Sequence, residues 1–420
     1  MAMNQKLVHG KLRAFISGSL LLTLLAMTTS CGGPPTAKEE IGLDAIGRQL
    51  ALLDGNVQKS LAADPMADSG AGEGNPRIVP RSVSGEGTLV MVPGGDWTSG
   101  FYPGVLWTMY EMTGDTAWRE KATAYTEKLE EEQYNASDHD VGFRMFCSYG
   151  NALRLTGDED YIPVLVQSAG TLISRYCEPV GCIRSWDFNR EQWQCPVIID
   201  NMMNLELLFW ASQQTGDPIY HDIAVRHALT TMKHHFRGDF STFHVVDYDT
   251  ITGEVRKRNT HQGYADGSSW ARGQAWGLYG YTMTYRYTED PRFLKQAEGI
   301  ADFILGHPRL PEDGIPYWDF DAPGIPGEPR DVSAAAISTS ALYELSTYSE
   351  KGASYRSEAD RILQNIWSGY RSGEGENCGF ILDHSVGSKP HQSEVDVPLI
   401  YADYYFLEAL KRKLAGTDKQ

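Results

Sequence analysis

The sequence predicts an all-α protein, a six-hairpin toroid or (α/α)6 barrel, from three observations. A helix-stop signature recurs, a pair of apolar helices flanks each copy, and the spacing between copies is irregular. The signature is Thr113-Gly114-Asp115, Thr156-Gly157-Asp158, Thr215-Gly216-Asp217 and, with glutamate for glycine, Thr288-Glu289-Asp290. Glycine ends a helix in the left-handed region and aspartate caps the next one, so each copy reads as an antiparallel helical hairpin. The hairpins follow in order. The first joins the helix before Thr113 to 116–131, the second 143–155 to 161–176, and the third 197–214 to 220–236. The fourth joins 270–287 to 293–305, and a degenerate fifth joins 333–349 to 355–370. The last helix, 397–414, has no partner after it, and the first, 38–62, has none before it, so these two form the sixth pair. An open solenoid keeps a near-constant repeat, whereas Asp115, Asp158, Asp217 and Asp290 are 43, 59 and 73 residues apart. The excess lies in 177–196 and 238–269, loops where function collects, and the second has the makings of a short β-hairpin. The Gly-, Pro- and Ser-rich stretch 64–87 reads as an irregular surface loop.

Composition sets the limits of function. Apolar residues make up 41% of the 420 and charged ones only 22%, which suits a packed globular chain. Lys6, Lys11 and Arg13 precede an apolar run at 14–27 and then Cys31, the pattern of a secretory signal (1–30) with a lipid-modified cysteine and a tether at 31–37. A single (α/α)6 domain then spans 38–420. The expectation is an exported bacterial protein, periplasmic or an outer-membrane lipoprotein, touching the membrane only through a lipid on Cys31. Cleavage removes three positive charges and no negative ones, leaving the mature chain more acidic than the −18 of the full sequence. That charge excludes nucleic acid as a partner. Cys177, Cys182 and Cys195 are close enough in sequence for one disulfide, but a structural role is the expectation for all five cysteines after Cys31. His221, His227, His234 and His235 read as a solvated helix face.

The stretch 260–276 packs two tryptophans, a tyrosine, an arginine, two amides and three glycines into seventeen residues. Aromatic faces stack on sugar rings and a guanidinium forks onto a carboxylate or sulfate, so it reads as a carbohydrate-binding wall. If the first helix of each hairpin is the inner one, all inner helices begin at one mouth. Their starts carry Asp96, Asp140, Asp200, Arg272, Asp331 and Asp396. Asp331 and Asp396 read as helix caps. Asp140 follows a histidine in a polar run, and Asp200 sits in an apolar start from Pro196 to Met203, where desolvation raises a carboxyl's pKa and suits it to general-acid work. Two carboxylates facing a sugar-sized space suggest glycoside chemistry.

Four motifs carry a resemblance: DWTSGFYPG from Asp96, HDVGF from His139, IIDNMMN from Ile198 and HQGYADGSSWARGQAWGLYGY from His261. In this order they resemble glycoside hydrolase family 88, the unsaturated glucuronyl hydrolases, and the similarity runs through nearly the whole mature chain. The resemblance implies an (α/α)6 barrel acting on an unsaturated uronic-acid oligosaccharide left by a polysaccharide lyase. It implies hydration of the C4=C5 vinyl ether with Asp200 as general acid/base and Asp140 orienting the sugar. His139, His244 and Gln262 then match positions that hold the substrate or its water. Trp97, Trp186, Trp270 and Trp276 match aromatic walls, and Arg272 matches a cationic contact. Ser385, Ser388 and Lys389 correspond to a late serine and lysine loop for sulfated or carboxylated substrates. No metal or other cofactor is implied. Three readings stand beside this one: an unsaturated rhamnogalacturonyl hydrolase acting on pectin fragments, a histidine-dependent sugar epimerase and a non-catalytic glycan-binding lipoprotein.

Overall fold

The computed structural model describes residues 40–63 and 76–417, so the expected leader, tether and Cys31 lie outside the described residues. The inner helices are α2 (Phe101–Thr113), α4 (Val141–Met145), α5 (Asn151–Thr156), α7 (Leu205–Thr215), α9 (Ala271–Thr288), α11 (Val332–Leu345) and α13 (Ile400–Thr417). A π-helical turn, Phe146–Gly150, joins α4 to α5, and a 3-10 turn, Ile199–Asn204, leads into α7. Outside them lie α3 (Thr116–Glu127), α6 (Tyr161–Ile173), α8 (Pro218–His234), α10 (Pro291–Gly306) and α12 (Gly352–Tyr370). Packing runs from α2 to the π turn, from α4 to the 3-10 turn, then through α9, α11 and α13 back to α2, which closes the ring. Burial separates the two layers. Every residue of α9 from Ala271 to Thr284 is buried, whereas α10 buries one stripe containing Phe293, Ala297, Ile300 and Ile304. A helix apolar all round has to be enclosed, and a helix with one apolar stripe covers it.

α1 (Leu43–Ala63) completes the outer layer. Its Asp54 takes the Lys121 ammonium at 2.6 Å, and its Gln49 amide donates to the carbonyls of Glu376 and Phe380. The hairpin punctuation does what its chemistry predicts. Gly114, Gly157 and Gly216 take φ of 69–74°, and Asp115, Asp217 and Asp290 accept the N–H two residues on. Two expected caps differ. α6 begins at Tyr161, so Asp158 instead accepts the N–H of Asp160 in the turn before it. Asp396 lies four residues ahead of α13 and pairs with His384 at 2.7 Å.

Small sheets decorate the mouth. β1 (Arg77–Val83) pairs with β2 (Leu89–Pro93), so part of the stretch expected as loop is a strand. β3 (Tyr176–Cys177) pairs with β4 (Cys182–Ile183), which sets Cys177 opposite Cys182. All five described cysteines are unbridged. The hairpin expected in the second insert is β6 (Val245–Tyr248) with β7 (Val255–Asn259), and β5 (Pro196–Ile198) adds to it. β8 (Ser385–Ser388) pairs with β9 (Ser393–Val397).

These inserts correct the reading of α8. His227 and His235 are fully buried: His227 Nδ1 accepts the Ile183 N–H (3.0 Å), and the His235 Nε2–H donates to the Val197 carbonyl (3.0 Å). The helix face would be solvated in isolation, but here it meets strand backbone that needs partners.

Candidate active site

The N-terminal ends of the inner helices surround a cavity of about 500 Å³. Its wall includes Trp97, His139, Asp140, Trp186, Asp200, Gln262, Arg272 and Ser388, so eight of the residues read from the sequence meet around one space. A second cavity of about 480 Å³ lies at the opposite ends of these helices, where Glu206 pairs with Arg286 and Glu408 with Arg412.

Strand register places Asp200. Ile198 pairs with Val245 and the Ile199 N–H donates to the His244 carbonyl, so the start of the 3-10 turn lies beside His244. His244 Nε2 is 3.6 Å from Asp200 Oδ2, and neither atom has another protein partner. His244 Nδ1 accepts the backbone N–H groups of His261 and Gln262, each at 3.1 Å. An imidazole nitrogen that accepts two donors carries no proton, so the ring proton is on Nε2 and faces the carboxyl. Burial holds His244 well below the usual histidine range, which makes it a neutral donor. Burial pushes Asp200 up to about 7, against the opposing pull of Arg272 and of Trp276. A carboxyl titrating near neutrality is matched to general acid–base work.

Asp140 ends the loop that enters α4. Burial raises its pKa, the charges of Asp138 and Asp200 add to the rise, and Arg144 opposes it. His139 Nε2 is 3.4 Å from Asp140 Oδ1, and burial lowers the His139 pKa to about 4, so the contact is not an ion pair near neutrality. The two acid-bearing elements interlock through Asn204, whose Oδ1 accepts the Phe143 N–H at 2.9 Å. A Cβ on Gly142 would stand 2.7 Å from both Asn204 Cα and Oδ1. Gly142→Ala is therefore expected to cost about 1–3 kcal/mol in a denaturant melt and to lower kcat, because it wedges the Asp140 and Asp200 elements apart.

The hairpin of β8 and β9 roofs the cavity. Arg272 donates to the carbonyls of Val386 and Gly387 and pairs with Asp331 at 3.1 Å, and the Gln262 amide donates to Gly387 at 3.1 Å. Arg81 grips the other strand through Glu394 (2.6 and 2.7 Å) and ties it to Asp96 (2.8 Å), at the mouth of α2. Glu394 and Asp396 hold φ of 53° and 60°, left-handed values that non-glycine residues keep only where surroundings impose them.

Five of the residues read from the sequence stand elsewhere. His244 is behind Asp200, and Trp270 packs on His244 (4.6 Å) and under the Arg272 guanidinium (4.4 Å). Trp276 is fully buried between Phe143 and Tyr405, a floor beneath Asp200 rather than a wall. Ser385 is buried in the roof. Lys389 points away, pairing with Glu328 and lying 5.5 Å from the Trp318 ring centroid. The cationic reading of Arg272 is also revised, since both of its terminal nitrogens are already engaged. Lys389→Ala should leave kcat and KM within about twofold of the parent, as steady-state kinetics would show.

The cavity also gathers Asp96, Asp138, Ser185, Phe188, His261, His391 and Ser393, which the sequence reading did not single out as site residues. Phe188 lay in an insert already marked by length, and its ring stacks on Trp186 at 5.0 Å and 11°. His261 opened a quoted motif. His391 and Ser393 carried no local signal.

The family model described as Glycosyl Hydrolase Family 88 matches residues 81–297. An unsaturated glucuronyl hydrolase of Formosa agariphila is 49% identical over 395 residues, 93% of this chain and 96% of that protein. One of Bacillus sp. is 36% identical, covering 80% of this chain and 91% of that protein. Among solved structures, an unsaturated glucuronyl hydrolase specific for heparin superposes with a TM-score of 0.83 at 47% identity, covering 90% of this chain and 97% of the other.

Proposed function

We propose an activity for this chain from one premise: it belongs to glycoside hydrolase family 88. The enzyme removes the unsaturated uronic acid from the non-reducing end of lyase-generated glycosaminoglycan-type oligosaccharides. The observation that carries its chemistry is a buried carboxyl, Asp200, pushed up to about 7 and facing a neutral histidine across 3.6 Å in a sugar-sized cavity.

The C4=C5 bond of the substrate is a vinyl ether, whose electron-rich carbon is C4. Asp200 in its acid form delivers its proton there, and positive charge develops at C5 and the ring oxygen. Water adds at C5 and returns a proton to the Asp200 carboxylate, which restores the acid. The product is a hemiketal that opens and releases the rest of the sugar. His244, with its Nε2 proton toward Oδ2, orients the Asp200 carboxyl from behind, and Asp140 holds the ring hydroxyls. Trp97, Trp186 and Phe188 exclude solvent and offer faces to the sugars.

A panel of lyase-generated disaccharides tests this directly, by loss of the ultraviolet absorbance of the C4=C5 bond. Selective loss names the parent polysaccharide, and no loss with any member refutes the activity. A pectin-derived disaccharide in the panel tests the rhamnogalacturonyl reading. Export and lipid attachment at Cys31 complete the proposal. Fatty-acid labelling of the full chain in a bacterial host is expected, and Cys31→Ser should abolish it.

A further inference from the structure

Asp138 lines the same cavity as Asp140 and Asp200, yet its carboxylate is committed elsewhere. Its Oδ1 accepts the Asp140 backbone N–H at 2.8 Å and Arg144 Nη1 at 2.9 Å, and its Oδ2 accepts Nη1 again at 3.2 Å. Arg144 stands four residues after Asp140, its N–H donating to the Asp140 carbonyl, and its side chain is fully buried. The guanidinium also donates to the Asn135 carbonyl (3.3 Å) and the Gly95 carbonyl (3.4 Å), so it braces the loop before Asp140 and the one leading to Trp97. Among the described residues, no lysine or arginine is within ion-pair distance of Asp140 itself.

We propose that Asp138 is a positioning residue: by pairing with the Arg144 guanidinium, accepting the Asp140 N–H and setting its own carboxylate beside Asp140, it lets Asp140 meet the anionic sugar as a carboxylic acid. The reason is electrostatic. A uronate entering the cavity brings a negative charge, and a second carboxylate beside it would repel it in a partly desolvated space. A carboxylic acid avoids that repulsion and donates a hydrogen bond to a ring hydroxyl. Of the groups facing Asp140, His139 is held neutral and the ionisation of Asp200 disfavours a charge on it, while Arg144 and the Asn204 side chain from the 3-10 turn pull the other way and are outweighed by burial. On the neighbouring loop Asp96 is paired with Arg81, and Arg272 across the cavity is paired with Asp331. This rests on the activity proposed above only for the identity of the anion.

Asp138→Asn keeps the shape and the acceptor for the Asp140 N–H but removes the negative charge that pairs with Arg144 and stands beside Asp140. In an Asp200→Asn background, where the second carboxyl no longer titrates, the protonated Asp140 carboxyl is read by its infrared carbonyl band against Asp140→Asn. The band is expected to persist to a higher pH when Asp138 is present than in the Asp138→Asn variant, the two titrations separated by about one pH unit or more. Binding of an unsaturated uronate disaccharide to the same two proteins should lose affinity with rising pH along the same two curves. Asp138→Glu, which restores the charge, should return the band toward the parent position and guards against a folding defect in the amide variant. Coincident infrared titrations, or affinity lost equally at every pH, would overturn the proposal. Displaced infrared titrations with no binding of any uronate would keep it and refute the activity instead.

Discussion

Asp200→Asn is expected to leave the barrel folded and to bind the unsaturated disaccharide while kcat falls by about 10²–10⁴-fold, the range for losing a positioned general acid–base group. The amide keeps the shape of the side chain but has no proton to deliver to C4. Stability should move in the opposite direction. Asp200 is raised from 3.8 to about 7, so ionising it in the folded chain is costly, and that cost appears as pH rises from the unfolded carboxyl value toward 7. Below about pH 4 the group is neutral in both states and contributes nothing. The asparagine variant should therefore match the parent in melts near pH 4 and exceed it by a few kcal/mol at about pH 8. Turnover should fall in the parent as pH rises through about 7, because the step begins from the acid form. A variant with near-parental kcat would remove Asp200 from the mechanism.

Arg272→Met is expected to cost about 3–5 kcal/mol, since the Asp331 charge then stays buried without its partner. The same change loosens the roof, because the Val386 and Gly387 carbonyls lose the guanidinium and Gly387 keeps only the Gln262 amide. It also removes the cation that lowers the Asp200 pKa, so the alkaline limb of kcat/KM should move above its parental position while KM rises. Urea melts with the far-ultraviolet signal measure the first effect, and a pH series of initial rates measures the others. An unchanged limb would show that Arg272 does not reach Asp200 electrostatically.

The hairpins were legible because their signals are local. Gly114 and Asp115 act within one turn of where they stand, and the burial of α9 goes with a stretch that carries no charged side chain from Gly273 to Tyr285. The two acids were legible for a related reason: each opens an inner helix, and a closed ring of parallel inner helices brings those openings together. Some errors came from the same local reasoning. Asp396 looks like a cap until β9 carries it away from α13, and the His227 and His235 face looks solvated until the inserts cover it.

The sequence by itself determined the ring, its mouth, the family motifs and the presence of Asp140 and Asp200 at that mouth, all of which depend on spacing along the chain. Only the tertiary structure decided what each acid faces. The register of β5 on β6 sets His244 beside Asp200, and the backbone N–H groups of His261 and Gln262 fix the histidine's tautomer. A roof from the far end of the chain claims Arg272. Proton affinity depends on burial and on neighbours brought from distant segments, and the order of residues along a chain does not reveal which segments those are.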